Sequence, residues 1–178
     1  MSVLRTSQVQ NLSGTPMLNP VGGILQVVQT VKLDSFTTSG TSFVDIAGFS
    51  CVITPTSITN KIMIDICMYC GESQDSFPAF RLLRNGTPIS VANTISPGTA
   101  TTFGYCNTGA DARDQYLITP VNYKLLDSPS TVSQLTYSIQ ISPMRTASRT
   151  FFLNRSNTIG DGNQMTCTST LTVMEVAA

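Results

Sequence analysis

Along residues 61–70, KIMIDICMYC, the side chains alternate with a period of two. Ile62, Ile64, Ile66, Met68 and Cys70 fall on one face, and Met63, Asp65, Cys67 and Tyr69 on the other. No stretch of the chain sustains apolar residues at helical spacing for three turns, whereas short runs rich in Val, Ile, Thr, Phe and Tyr recur between clusters of Gly, Pro, Asn and Ser. The pattern predicts strands at 24–33, 42–54 (broken at Gly48), 61–70, 79–84 and 87–92, 101–106, 121–126, 134–141, 149–154 and 165–176. A turn every ten residues or so suits an all-β fold, an antiparallel β-sandwich of jelly-roll type. Asn85-Gly86 is the strongest local signal, because both residues tolerate the positive φ that a tight hairpin turn needs.

In MTCTSTLTVMEV (165–176), Met165, Cys167, Leu171 and Val173 share one face and Thr166, Thr168, Thr170 and Thr172 the other. Such a strand serves a core on one side and water or a partner on the other. Residues 1–23 differ: LSGTPMLNPVGG carries two prolines and three glycines and reads as an extended N-terminal arm and hinge ahead of a knob spanning 24–178. Leu4, Val9, Leu12, Met17 and Leu18 are the arm's docking candidates, since an exposed arm has little reason of its own to carry them.

Composition narrows the function classes. A chain of 178 residues supports one core. Ten basic and ten acidic residues give zero formal net charge, so no long-range field gathers nucleic acid or anionic lipid. Charged residues make up only 11%, less than half the usual share, while 41% are hydrophobic. The balance implies burial between subunits as well as within one. No apolar run is long enough for a signal peptide or a membrane span, so a soluble chain not exported by the Sec route is expected.

Candidate chemistry is sparse. The chain has no histidine, which removes the usual general base and every Ser-His or Cys-His nucleophile. Cys67-Met68-Tyr69-Cys70 places its thiols on opposite faces of a strand with no helix following, and Cys51, Cys106 and Cys167 supply no second close pair. Buried small apolar residues therefore account for the pair better than a metal or redox site. Glu72 and Asp75 in one predicted loop, and Asp111, Arg113 and Asp114 in another, are the residues that would flank a glycosidic bond in a hydrolase. Ten acids in loops and turns make such neighbours expected, and solvated turn formers explain them better. Asp161-Gly162-Asn163 lacks the alternating carboxylates of a calcium loop and reads as a turn. No catalytic, cofactor-binding or metal residue is assigned.

Three phrases carry a resemblance. LRTSQVQNLSGTPML, ILQVVQTVKLDSFTTSGTSFVDIAGFSCVITPTSITNKIMI and FFLNRSNTIGDGNQMTCTSTLTVMEV resemble, in that order, a domain common in virion structural proteins of tailed bacteriophages, especially those infecting cyanobacteria and marine bacteria. The resemblance implies a β-sandwich knob, often a homotrimer, at the virion surface and joined to other virion proteins of the head or tail through its N-terminal segment. The chain has no coiled coil, collagen-like repeat or shaft, so a compact trimer seated on the particle, a tail fibre knob or a head cement (decoration) protein, is expected in place of a long fibre. The alternative is a host-recognition protein that binds or degrades surface glycan.

Overall fold

The computed structural model describes residues 22–73, 77–94, 98–105, 116–144, 149–158, 160, 162 and 165–178. Leu4, Val9, Leu12, Met17 and Leu18 lie outside the described residues. Eleven strands follow in chain order: β1 (Ile24–Lys32), β2 (Phe36–Ser39), β3 (Val44–Ile53), β4 (Lys61–Glu72), β5 (Ala79–Arg84), β6 (Thr87–Ile89), β7 (Phe103–Gly104), β8 (Thr119–Asp127), β9 (Leu135–Ser142), β10 (Thr150–Leu153) and β11 (Ser169–Val176). They form an antiparallel sandwich. One sheet runs β1-β11-β4-β10-β2 with β8 beside β4, and the other runs β3-β9-β5-β6 with β7 beside β5.

The six-stranded sheet is four strands wide, because two of its columns are spliced. β8 pairs with β4 from Ile62 to Cys70. On the other side of β4, β11 covers Lys61 to Cys67 and β10 takes over from Cys70 to Glu72. One column further out, β1 pairs with β11 and β2 with β10. Asn154 sits where the splices meet. Its Nδ2 donates to the carbonyls of Lys32 (2.7 Å) and Asp34 (3.0 Å), and its Oδ1 accepts from Ser169 Oγ at 2.5 Å. Ser169 Oγ in turn accepts from the Tyr69 amide at 3.1 Å. Asn154 holds φ at +65°, a conformation that Asn adopts more readily than most side chains.

The core fills the space between the sheets. Ile62, Ile64, Ile66 and Met68 of β4, Leu171 and Val173 of β11, and Phe151 and Leu153 of β10 meet Tyr137, Ile139 and Ile141 of β9, Phe80 and Leu82 of β5, and Phe49, Cys51 and Ile53 of β3. Every second residue of β4 is buried, as the period-two pattern predicts. At one end, rings bridge the sheets: Phe103 stacks on Phe80 and Tyr123 at centroid distances of 5.0 and 4.8 Å, and Phe151 meets Phe80 edge-on at 5.7 Å. A polar clasp joins β5 and β9 to β8. Arg84 Nη1 donates to both Asp127 oxygens (2.9 and 2.8 Å), and the Tyr137 hydroxyl donates to Asp127 at 2.7 Å.

β1 and β3 close one side of the sandwich without forming a ladder. Gln26 Nε2 donates to the Thr54 carbonyl (2.8 Å) and Thr30 Oγ1 to the Ser50 carbonyl (2.6 Å). Gln26 also donates to Glu175 at 2.6 Å, and that buried carboxylate accepts from the Thr56 amide (2.6 Å) and Asn60 Nδ2 (2.6 Å) as well. Burial alone would raise the Glu175 pKa. The donated hydrogen bonds outweigh it and hold the pKa at about 2, so the 54–60 connection is fastened to β11 by a charged group.

Several predicted boundaries change. The expected break at Gly48 is a bulge in a continuous β3: the register shifts between Asp45 and Ser50, and Gly48 takes φ +72°. Residues 46–49 stand opposite position 139 alone, three more than a regular ladder holds, and the odd number resets the alternation, so that Ile46 and Phe49 both reach the core. The strand expected over 165–176 begins only at Ser169. Met165 is 60% exposed and Thr166 makes a lone bridge to Arg155, so Met165 and Cys167 do not share a strand face with Leu171. The 101–106 strand shrinks to Phe103–Gly104, and β2 was not expected at all. Asn85 and Gly86, at φ 50° and 79°, make the two-residue hairpin turn that joins β5 to β6.

Candidate interaction surface

The outward face of the six-stranded sheet is built by register. β1 pairs Val27 with Met174, β11 pairs Met174 with Met63, and β4 pairs Met63 with Leu126, so four apolar side chains form one row across four strands. The next row is Gln29, Thr172, Asp65 and Lys124. Within it Gln29 Nε2 donates to Thr172 Oγ1 (2.8 Å) and Lys124 pairs with Asp65 (2.8 Å). The row after that is Val31, Thr170, Cys67 and Asn122. Val27 and Leu126, at the two ends of the apolar row, are 57% and 49% exposed. Gly22, Ile24, Val176, Met174, Met63, Asp65 and Lys124 line a shallow hollow of about 350 Å³ over it.

The other end of this face is covered by the chain itself. Residues after β10 run across Gly71 so closely that a Cβ there would overlap the Arg155 carbonyl oxygen and stand 3.0 Å from Ser156 Cα. The Arg155 guanidinium lies 4.0 Å above the Phe152 ring. Of the surface residues, Met63, Asp65, Cys67 and Tyr69 were visible in the sequence as the second face of β4. Val27, Met174 and Leu126 were not, because only the pairing of four distant segments puts them in line.

The groups with chemical potential lie elsewhere. Glu72 was expected in a loop. It is the last residue of β4, 3% exposed, and neither carboxylate oxygen finds a hydrogen-bond partner among the described residues. Burial pushes its pKa up to about 7, an effect that nearby Tyr105 offsets only in part. Cys70 is buried on the same side of β4, and burial together with the Glu72 charge pushes its thiol well up, away from reactivity. Cys67 lies on the opposite face, so the two cysteines of Cys67-Met68-Tyr69-Cys70 do not meet. Cys51, Cys67, Cys70 and Cys167 are free thiols. Asp75, Asp111, Arg113, Asp114, Asp161 and Asn163 lie outside the described residues. Among the described residues no three His, Cys, Asp or Glu side chains come close enough together to hold a metal ion.

Glu72 makes stability depend on pH in a definite direction. Its folded pKa, about 7, lies above the ordinary value of 4.5, so the folded state holds the proton more tightly. The stability associated with the neutral acid is complete below about pH 4.5 and is lost as pH rises to about 7. Glu72→Gln is therefore expected to stabilise the protein at pH 8 by on the order of 2 kcal/mol and to change little at pH 4, read from urea unfolding at both values. Equal effects at the two pH values would contradict the assignment.

No protein-family model matches the chain, and no characterised protein matches it in sequence. Among solved structures, a chain in the structure of the infectious bursal disease virus Gx strain is similar with a TM-score of 0.38 at 15% identity. The match covers 86% of this chain and 38% of that one. This protein spans little more than a third of that chain's length.

Proposed function

We propose that this is a non-enzymatic structural protein of a tailed-bacteriophage particle, a compact sandwich at the virion surface that assembles as a homotrimer and is held to other virion proteins of the head or tail by residues 1–23. The observation that carries the reading is the outward row Val27, Met174, Met63 and Leu126, an apolar strip maintained across four strands where a solvated sheet face would be polar. The low charge supports it, as does the resemblance of three phrases to those of phage virion proteins. The best-placed acid, Glu72, is sealed within the fold at 3% exposure.

The test removes the arm. A chain lacking residues 2–20 is expected to fold and to sediment as a trimer, yet to be missing from purified particles when these are analysed by mass spectrometry. Normal incorporation of the truncated chain overturns the anchoring role, and a monomer at micromolar concentration overturns the trimer.

A further inference from the structure

We propose that β8 is a docking edge for a second copy of this chain, which adds its own β8 antiparallel to the first about a two-fold axis at Tyr123. The contact goes beyond the trimer reading. Its two-fold symmetry joins copies of neighbouring trimers, not the members of one.

The first observation is which backbone groups β8 leaves free. The Tyr69 amide donates to Ser169 Oγ at 3.1 Å and the Tyr69 carbonyl accepts from the Asn154 amide at 2.8 Å, so the main chain of Tyr69 points away from β8. Backbone direction alternates along a strand. The even-numbered residues from Ile62 to Cys70 therefore point toward β8 and bond its odd-numbered residues, Thr119 to Asp127. Pro120, Asn122, Lys124 and Leu126 turn their main chains outward. Pro120 fits this placement, because its missing amide falls on the side that has no ladder. Among the described residues nothing supplies a hydrogen bond to these outward groups.

The second observation is that this edge lacks most of what keeps an edge strand solitary. β8 is nine residues long and pairs with β4 throughout without a bulge. Its lysine is drawn back onto the sheet, Lys124 Nζ lying 2.8 Å from Asp65. The strands β2, β6 and β7 are shorter, at four, three and two residues, and β1 is tied to β3 through Gln26 and Thr30.

Side chains select the occupant. A ladder forms only in registers that bring outward main chains face to face. Centring the pair on Tyr123 sets Asn122 against the partner's Lys124, Val121 against the partner's Leu125 and Pro120 against the partner's Leu126. Apolar residues meet apolar ones, Tyr123 meets its own copy, and no like charges are opposed. Moving the centre one residue to Lys124 places two ammonium groups directly opposite each other. The Tyr123 register forms about six backbone hydrogen bonds. It also covers Tyr123 and Leu125, which are only partly buried within one copy. Each copy spends its free β8 edge in the contact, so the pairing stops at two chains.

The experiment mixes two full-length variants, Asn122→Cys and Lys124→Cys, each also carrying Cys67→Ser because Cys67 pairs with position 122 in the same chain. Both substituted positions are exposed. The mixture is oxidised mildly at high micromolar concentration and read by non-reducing electrophoresis and peptide mapping. A two-chain disulfide joining 122 to 124 is expected, with a two-chain yield about ten times that of either variant alone. Its absence, or equal yields with and without mixing, sinks the proposal. A second measurement needs no cysteine. Asn122→Pro removes an amide that the chain's own ladder does not use, so the urea midpoint should stay unchanged. The same variant should weaken the pairing seen by sedimentation equilibrium at least about tenfold. Unweakened pairing rules out strand addition at β8. Trimers without the 122–124 link remove the docking edge alone, whereas the link in a protein that sediments only as monomer and dimer removes the trimer alone.

Discussion

Replacing Asn154 with alanine is expected to cost about 4 kcal/mol of folding stability, read as a lower urea midpoint at unchanged slope. Three partners lose their bonds at once. The Lys32 and Asp34 carbonyls lose their donor, and the Ser169 hydroxyl loses the acceptor that orients it toward the Tyr69 amide. Asn154 is 1% exposed, so water does not replace these bonds without opening the sheet. Each loss costs about 1 kcal/mol, and holding alanine at φ +65° adds about 1 more. Asn154→Gly separates the two contributions, because it relieves the backbone while still deleting the bonds, and should recover only about 1 kcal/mol. A loss below about 1 kcal/mol for the alanine variant would show that the spliced columns hold together without this side chain.

Gly71→Ala is expected to be nearly as damaging, at about 3 kcal/mol and roughly a 10 °C fall in the unfolding midpoint. The new methyl group would meet the Arg155 carbonyl and Ser156 Cα, which are backbone atoms and not the far ends of flexible side chains. Gly71 pairs with Phe152 in the ladder and cannot retreat without drawing β4 away from β10. Gly86→Ala is the control. It carries the φ penalty of a hairpin turn, at +79°, but nothing lies within 4 Å of the added carbon, so it should cost about 1 kcal/mol. Similar losses at the two positions would mean that close approach is not what position 71 requires.

The two sites differ in how visible they were. The inner face of β4 and the turn at Asn85-Gly86 are local patterns, and the sequence shows both directly. Glu72 was misplaced because it opens the polar run ESQDS, and nothing in its neighbours reveals that β4 runs one residue past Gly71 to pair with Phe151. β2 escaped notice because Phe36–Ser39 is only four residues long and exists through pairing with β10, more than a hundred positions away. The bulge at Gly48 looked like an interruption, since a glycine between apolar runs marks either one, and only the partner strand tells them apart. The apolar row is harder still. Val27, Met174, Met63 and Leu126 belong to four segments whose alignment depends on every register in the sheet, including the shift between Ile24 and Gln26.

The stitching of β1 to β3 bears on whether the sheets can be extended at their edges. These are the strands that would otherwise offer long free margins, and a free margin invites another chain to add itself as one more strand. Gln26 and Thr30 occupy carbonyls at Thr54 and Ser50 that an incoming backbone would need. Growth by sheet extension, which runs on into fibrils, is thereby discouraged along this flank.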